Sequence, residues 1–253
     1  MATALQDRIA LVTGASSGIG RAVAAHLARH GACVVINHPG GEQAAAADAA
    51  VHEIAAAGGR ALALRADVRS EDEVAALIAA IEQRFGRLDI LINNAGIVRP
   101  APLTELTLAA WDDVLDTNLR GAFLCIKHAL PGMLRRDHGR IINTVSGLAF
   151  RGRAQCAAYC ASKAGLLGLM RAAVAEIGAR NVSVNCVAPT ITWTPINEAG
   201  RNEERLREVR TRIPQQRAGT VDDLLPSYLF LAAQADAFFT GQCLAPNGGD
   251  VMA

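Results

Sequence analysis

Strand-sized apolar runs alternate with alanine-rich helical stretches along almost the whole chain, and few architectures accept that pattern. Apolar runs at 9–12, 33–37, 61–67, 88–93 and 140–145 are followed by helical stretches over about 19–30, 41–57, 71–85, 108–137 and 159–177. Two late strands follow, at 182–187 and 242–245. Regular alternation with right-handed crossovers builds a mostly parallel, doubly wound α/β sheet covered by helices on both faces. No linker, repeat or low-complexity tract divides the chain, so one domain over 1–253 is expected. A Glu- and Arg-rich substrate lid is expected over about 192–214.

Composition narrows the function. Hydrophobic residues make up 51% of the 253 residues and charged ones 19%, enough for a large core. The net charge is +1 with no basic block, which argues against a nucleic-acid partner. No apolar run approaches a membrane span, and the first eight residues lack a signal-peptide pattern. The six cysteines show neither Cys-x-x-Cys nor zinc spacing, so no metal is expected. They read as reduced thiols of a cytoplasmic protein, with Cys156 and Cys160 filling small gaps.

In doubly wound sheets, ligands sit at the carboxyl ends of the strands. The first strand runs into Thr13-Gly14-Ala15-Ser16-Ser17-Gly18-Ile19-Gly20, where glycines let the backbone approach a pyrophosphate at a helix N-terminus. Gly14, Ser16, Ser17, Ile19 and Gly20 are therefore candidate dinucleotide contacts. The second strand ends in Asn37 and His38, with no acid to repel a ribose 2′-phosphate. A hydrogen bond from Ser17 and a partial charge on His38 tip the choice from NAD towards NADP. Asp67 and Val68 border the expected adenine position, with Asp67 also suited to cap the next helix. Asn94, Ala95 and Gly96 end the fourth strand, where small residues admit the cofactor. Asn118 interrupts a good helix and suggests a kink or a held water.

Tyr159 and Lys163 stand one helical turn apart and share a face. A lysine ammonium beside a tyrosine favours the phenolate and lowers its pKa from about 10. Such a tyrosine moves a proton on and off an alcohol oxygen. Ser146, at the end of the fifth strand, is placed to face the same oxygen.

Gly14–Gly20, Asn93–Gly96, Asn118, Ser146, Tyr159 and Lys163 occur in the order and spacing of the short-chain dehydrogenase/reductase family, which the chain resembles over about 7–252. The resemblance implies a Rossmann-type subunit, assembled as a homotetramer, that moves hydride between a nicotinamide and an alcohol or carbonyl. It assigns acid–base work to Tyr159 and the substrate oxygen to Ser146. Lys163 takes the ribose and the tyrosine pKa, and Asn118 the water of a proton relay. It places nicotinamide contacts at Pro189, Thr192 and Thr194. Three positions depart from the family pattern: Val145 replaces a serine, Thr190 a glycine, and Asn247 an aspartate. A β-branched Thr190 resists a left-handed backbone, so the loop there is expected to differ. The 194–197 segment is similar to the branch that oxidises aldoses such as glucose or rhamnose, with Gln155, Trp193 and Asn197 as sugar contacts. Arg151 and Arg153 read as solvated or subunit-contact residues. Were they to face the substrate, a 3-oxoacyl-thioester or other ketone reductase would gain. The intact Ser-Tyr-Lys set argues against a non-enzymatic cofactor-binding regulator.

Overall fold

In the computed structural model, residues 4–196 and 198–252 are described. Seven strands form one parallel sheet in the order β3-β2-β1-β4-β5-β6-β7. They are β1 (Ile9–Val12), β2 (Cys33–His38), β3 (Arg60–Arg65), β4 (Ile90–Asn93), β5 (Gly139–Thr144), β6 (Val182–Val187) and β7 (Cys243–Leu244). The order runs outward one way from β1 and the other way from β4. A crevice therefore opens above the carboxyl ends of this central pair.

Alternate strand residues supply the two cores. Leu11, Val35, Leu91, Ile141 and Val184 face one cluster. Helices α3 (Glu71–Phe85), α5 (Gly121–Arg135) and α7 (Ala157–Ile177) cover it. Val12, Ile36, Ile92 and Ile142 face the other. Helices α1 (Gly18–Arg29), α2 (Glu42–Ala56) and α9 (Val221–Ala232) cover that side. Burial on both faces explains why the central strands read as unbroken apolar runs.

The helical pair expected over 108–137 forms, and further helices come in addition to the expected elements. The 108–137 stretch splits into α4 (Leu108–Leu115), a π-helical turn (Asp116–Arg120) and α5. Helix α9 was not expected, and it carries Pro226 inside it. A Thr220–Asp223 capping box starts it, so local bonding offsets a poor helix former. Two further helices complete the fold, α6 (Leu148–Arg151) and α8 (Glu203–Arg212), the latter within the expected lid.

Candidate active site

The turn after β1 is tied to the end of β4. Thr13 Oγ1 accepts the N–H groups of Asn94 and Ala95, each at 3.0 Å. Asn94 Nδ2 donates to Thr13 O at 3.0 Å and Gly14 O at 3.2 Å. Gly14 has φ +59°, and a Cβ there would lie 2.8 Å from Ala95 Cα. A Cβ on Gly20 would lie 2.5 Å from Asn94 Nδ2. These glycines are needed for packing as much as for ligand approach. Thr13 was missed, because a lone threonine at a strand end carries no spacing signal.

A cleft of about 410 Å³ runs from this turn across the sheet. Gly14, Ser17 and Ile19 line one end, and Asn37, Asp67 and Val68 the flank. Asn94, Ala95 and Gly96 form the floor. Tyr159, Lys163, Pro189, Thr192 and Thr194 close the far end. Ser17, the N-cap of α1, makes no side-chain cap bond, leaving the helix N-terminus open towards the cleft. A pyrophosphate fits such a terminus.

Ser16, Gly20 and His38 do not reach the cleft. The Ser16 hydroxyl turns to Gln43 Oε1 at 3.0 Å. His38 is 7% exposed, and its Nδ1 accepts the Gly40 N–H at 3.2 Å. Burial lowers its pKa, so His38 is neutral at pH 7 and is no cation for a 2′-phosphate. Asp67 does not cap α3, since Ser70 takes the Glu73 N–H. The Arg69 guanidinium instead grips Asp67, at 2.7 Å at the shortest, and holds its carboxyl below the usual range. Arg69 also reaches Asp113 at 3.0 Å.

At the chemical end, Asn118 sits in the π-helical turn. Its Oδ1 accepts the Ile97 N–H at 2.8 Å, and its Nδ2 donates to Ile97 O and Ser162 Oγ, both at 3.0 Å. The side chain thereby pins the loop after β4 to α7. Lys163 is 3% exposed and donates to Thr144 O at 2.7 Å. Its Nζ lies 5.7 Å from the centre of the Tyr159 ring. The expected drop in the tyrosine pKa is not found. Burial pushes the Tyr159 phenol up to about 12, with the Ser146 hydroxyl beside it pulling the other way. Burial also brings Lys163 down to about 8. Desolvation is the leading cause of both shifts.

A second cavity, of about 420 Å³, shares Ser146, Tyr159, Pro189, Thr190 and Ile196 with the cleft. Gln155 and Trp193 line it. The Arg201 guanidinium lies 5.3 Å from the Trp193 ring centre and takes part of its π surface. Asn197 lies outside the described residues. Arg151 and Arg153, expected to be solvated or to make subunit contacts, line this cavity, and Arg205 of α8 joins them. Thr190 takes no left-handed φ, and its hydroxyl donates to Asp250 Oδ2 at 2.6 Å. Asn247 closes its own turn, accepting the Gly249 N–H at 3.0 Å.

The short chain dehydrogenase family profile matches residues 8–205. The chain belongs to this family. It is an NAD(P)-dependent oxidoreductase of CH–OH and carbonyl groups. It is 42% identical over 243 residues to the 3-oxoacyl-(acyl-carrier-protein) reductase FabG of Staphylococcus aureus, covering 96% of this chain and 98% of the relative. It is also 42% identical to the cis-4-hydroxycyclohexanecarboxylate dehydrogenase of Sinomonas cyclohexanicum, covering 98% of each. A solved structure from Beutenbergia cavernae, described as an NAD(P)-dependent gluconate 5-dehydrogenase with bound NADP, superposes with TM-score 0.92 at 38% identity, covering 99% of each chain. Among the described residues no helix is long and apolar enough to cross a membrane, and no His, Cys, Asp or Glu cluster suits a metal ion.

Proposed function

We propose that this dehydrogenase acts on a small polyhydroxylated or cyclic secondary alcohol, with NADP as the preferred cofactor. The observation that carries this reading is the junction of two cavities at Ser146 and Tyr159. One cavity suits the dinucleotide, and the other is open for a compact substrate. A nicotinamide held in the cleft beside Lys163, Pro189, Thr192 and Thr194 would supply the acceptor for the hydride of the substrate carbon. In reduction the Tyr159 phenol gives its proton from Oη to the carbonyl oxygen; in oxidation the phenolate, favoured by the positive charge of Lys163 and of an oxidised nicotinamide, would take the hydroxyl proton, while Ser146 donates a hydrogen bond to the same substrate oxygen. Lys163 keeps two of its three N–H donors for the ribose, since Thr144 O occupies one. Asn118 holds the floor that aligns them. Reduction runs the same proton path in reverse.

The NADP preference is supported by the missing acid at the end of β2. It is supported also by Arg65, the β3 partner of His38 in the sheet register. Arg65 lies over Gly40 and keeps 63% of its side chain exposed. Gln155 and Trp193 suit a hydroxylated ring. Residues 192–214 read as a lid, with α8 placing Arg205 over the substrate. The homotetramer implied by family membership has apolar surface available at Leu108 and Phe123, which are exposed in the single chain. The second reading, a 3-oxoacyl-thioester reductase, draws on the similarity to the Staphylococcus aureus enzyme and on the arginines of the cavity.

Turnover with NADP and NAD across aldoses, alditols, cyclic alcohols and acetoacetyl thioesters separates the two readings. Tyr159→Phe is expected to bind cofactor normally and to lose roughly a hundredfold to ten-thousandfold in kcat. Wild-type turnover in that variant would overturn the assignment of the proton to Tyr159.

A further inference from the structure

We infer that the substrate carries a carboxylate, and that Arg153 and Arg205 hold it across the second cavity from Tyr159. The inference rests on the proposed reaction and adds the charge of its substrate. Four guanidinium groups gather at this cavity and under α8: Arg151, Arg153, Arg205 and Arg212. Among the described residues, two carboxylates pair with them. Glu208 pairs with Arg205 and, at 3.3 Å, with Arg212. Asp250 pairs with Arg212 and, at 3.4 Å, with Arg151. Arg153 has no ion pair or hydrogen bond among the described residues, although it lines the cavity.

The cluster therefore holds more positive charge than its own carboxylates neutralise. Arg205, whose side chain is 11% exposed, and Arg151 and Arg212, at 26% and 21%, are partly withdrawn from solvent, while Arg153 stays exposed at the cavity. Desolvated like charges oppose one another, and the pKa values of Arg151 and Arg205 fall from burial and from the charge of Arg153. Such an arrangement is costly unless an anion completes it. The division of labour follows from the pairing. The buried Asp250 holds the partly exposed Arg151, and Thr190 holds Asp250, so this pair braces the wall. Arg153 and the part of Arg205 not taken by Glu208 remain to meet a ligand. A planar guanidinium matches a carboxylate in two parallel hydrogen bonds. The cavity volume, about 420 Å³, falls within the range of small-molecule sites, ~300–1,000 Å³. Anion and reacting carbon therefore belong to one compact hydroxy acid.

The test compares kcat/KM for hydroxy acids and for their carboxamides, which keep the shape and lose the charge. The probes are 4-hydroxycyclohexanecarboxylate and six-carbon aldonates. Wild type is expected to prefer the acids. Arg153→Ala and Arg205→Ala should each cut acid turnover roughly tenfold to hundredfold, mainly through KM, and leave the carboxamides within about threefold. Arg153→Lys should recover part of the loss. Arg153 is exposed, so its variants serve even if Arg205→Ala unfolds. Equal use of acids and carboxamides overturns the inference and leaves the reaction standing. An equal fall for both, or activity confined to acyl thioesters, overturns it as well. Failure of the reaction itself is read separately, from Tyr159→Phe.

Discussion

Lys163 is where function and stability pull apart. Its ammonium is buried, and its pKa falls from 10.5 to about 8. A lysine lowered in the folded state binds fewer protons there than in the unfolded chain. Its charge therefore destabilises the fold at neutral pH, and stability rises as pH climbs from about 8 towards 10.5. Lys163→Met is expected to abolish activity yet raise the unfolding free energy by about 1–3 kcal/mol at pH 7, less the lost bond to Thr144. Urea titrations at pH 7 and pH 10 check this, and the gain should shrink at the higher pH. The tyrosine teaches the complementary point. The pairing of Tyr159 with Lys163 was legible as a spacing. The sign of the tyrosine shift was not, because desolvation sums over every neighbour that the fold brings in.

The π-helical turn between α4 and α5 shows how one polar residue can set an element. Asn118 looked out of place in a helix, and that anomaly was readable. Its partners were not, for Ile97 and Ser162 come from the loop after β4 and from α7. Asn118→Ala leaves the Ile97 N–H and C=O and the Ser162 hydroxyl short of partners. The expected cost is about 2–4 kcal/mol of stability. A fall in kcat should accompany it, because the Gly96 loop and Lys163 lose their shared support. Equilibrium denaturation and steady-state kinetics measure the two effects. A variant that lost activity with unchanged stability would assign Asn118 to chemistry alone. The helix α9 was illegible for the opposite reason: Pro226 argued against a helix, while Tyr228 and Leu231 stabilise it only once packed on the sheet.

Across the whole sheet, the carboxyl edge serves ligands and the amino edge serves stability. Arg140, near the start of β5, is fully buried. Its guanidinium donates to Gly139 O, to Asn181 O and Oδ1, and twice to Gln234 O. It ties the β6 approach and the end of α9 to the sheet, far from Tyr159. Arg140→Met strands these carbonyls and should lower stability by ~3–5 kcal/mol while leaving kcat per folded molecule within about twofold. Thermal melts with active-site titration test it. The sequence read Arg140 only as the first residue of a strand, since nothing in one dimension says that a charge will be enclosed. Periodicity alone determined the alternation, the parallel sheet and the strand ends where chemistry gathers, because burial on two faces imposes that pattern locally. The spacing of Tyr159 and Lys163 likewise needed only a helix. Tertiary structure decided that His38 is neutral, that the Tyr159 pKa rises, and that Arg153 and Arg205 meet over one cavity. Each of these depends on dielectric and charge contributed by segments distant in the chain, and those distances close only when the sheet is built.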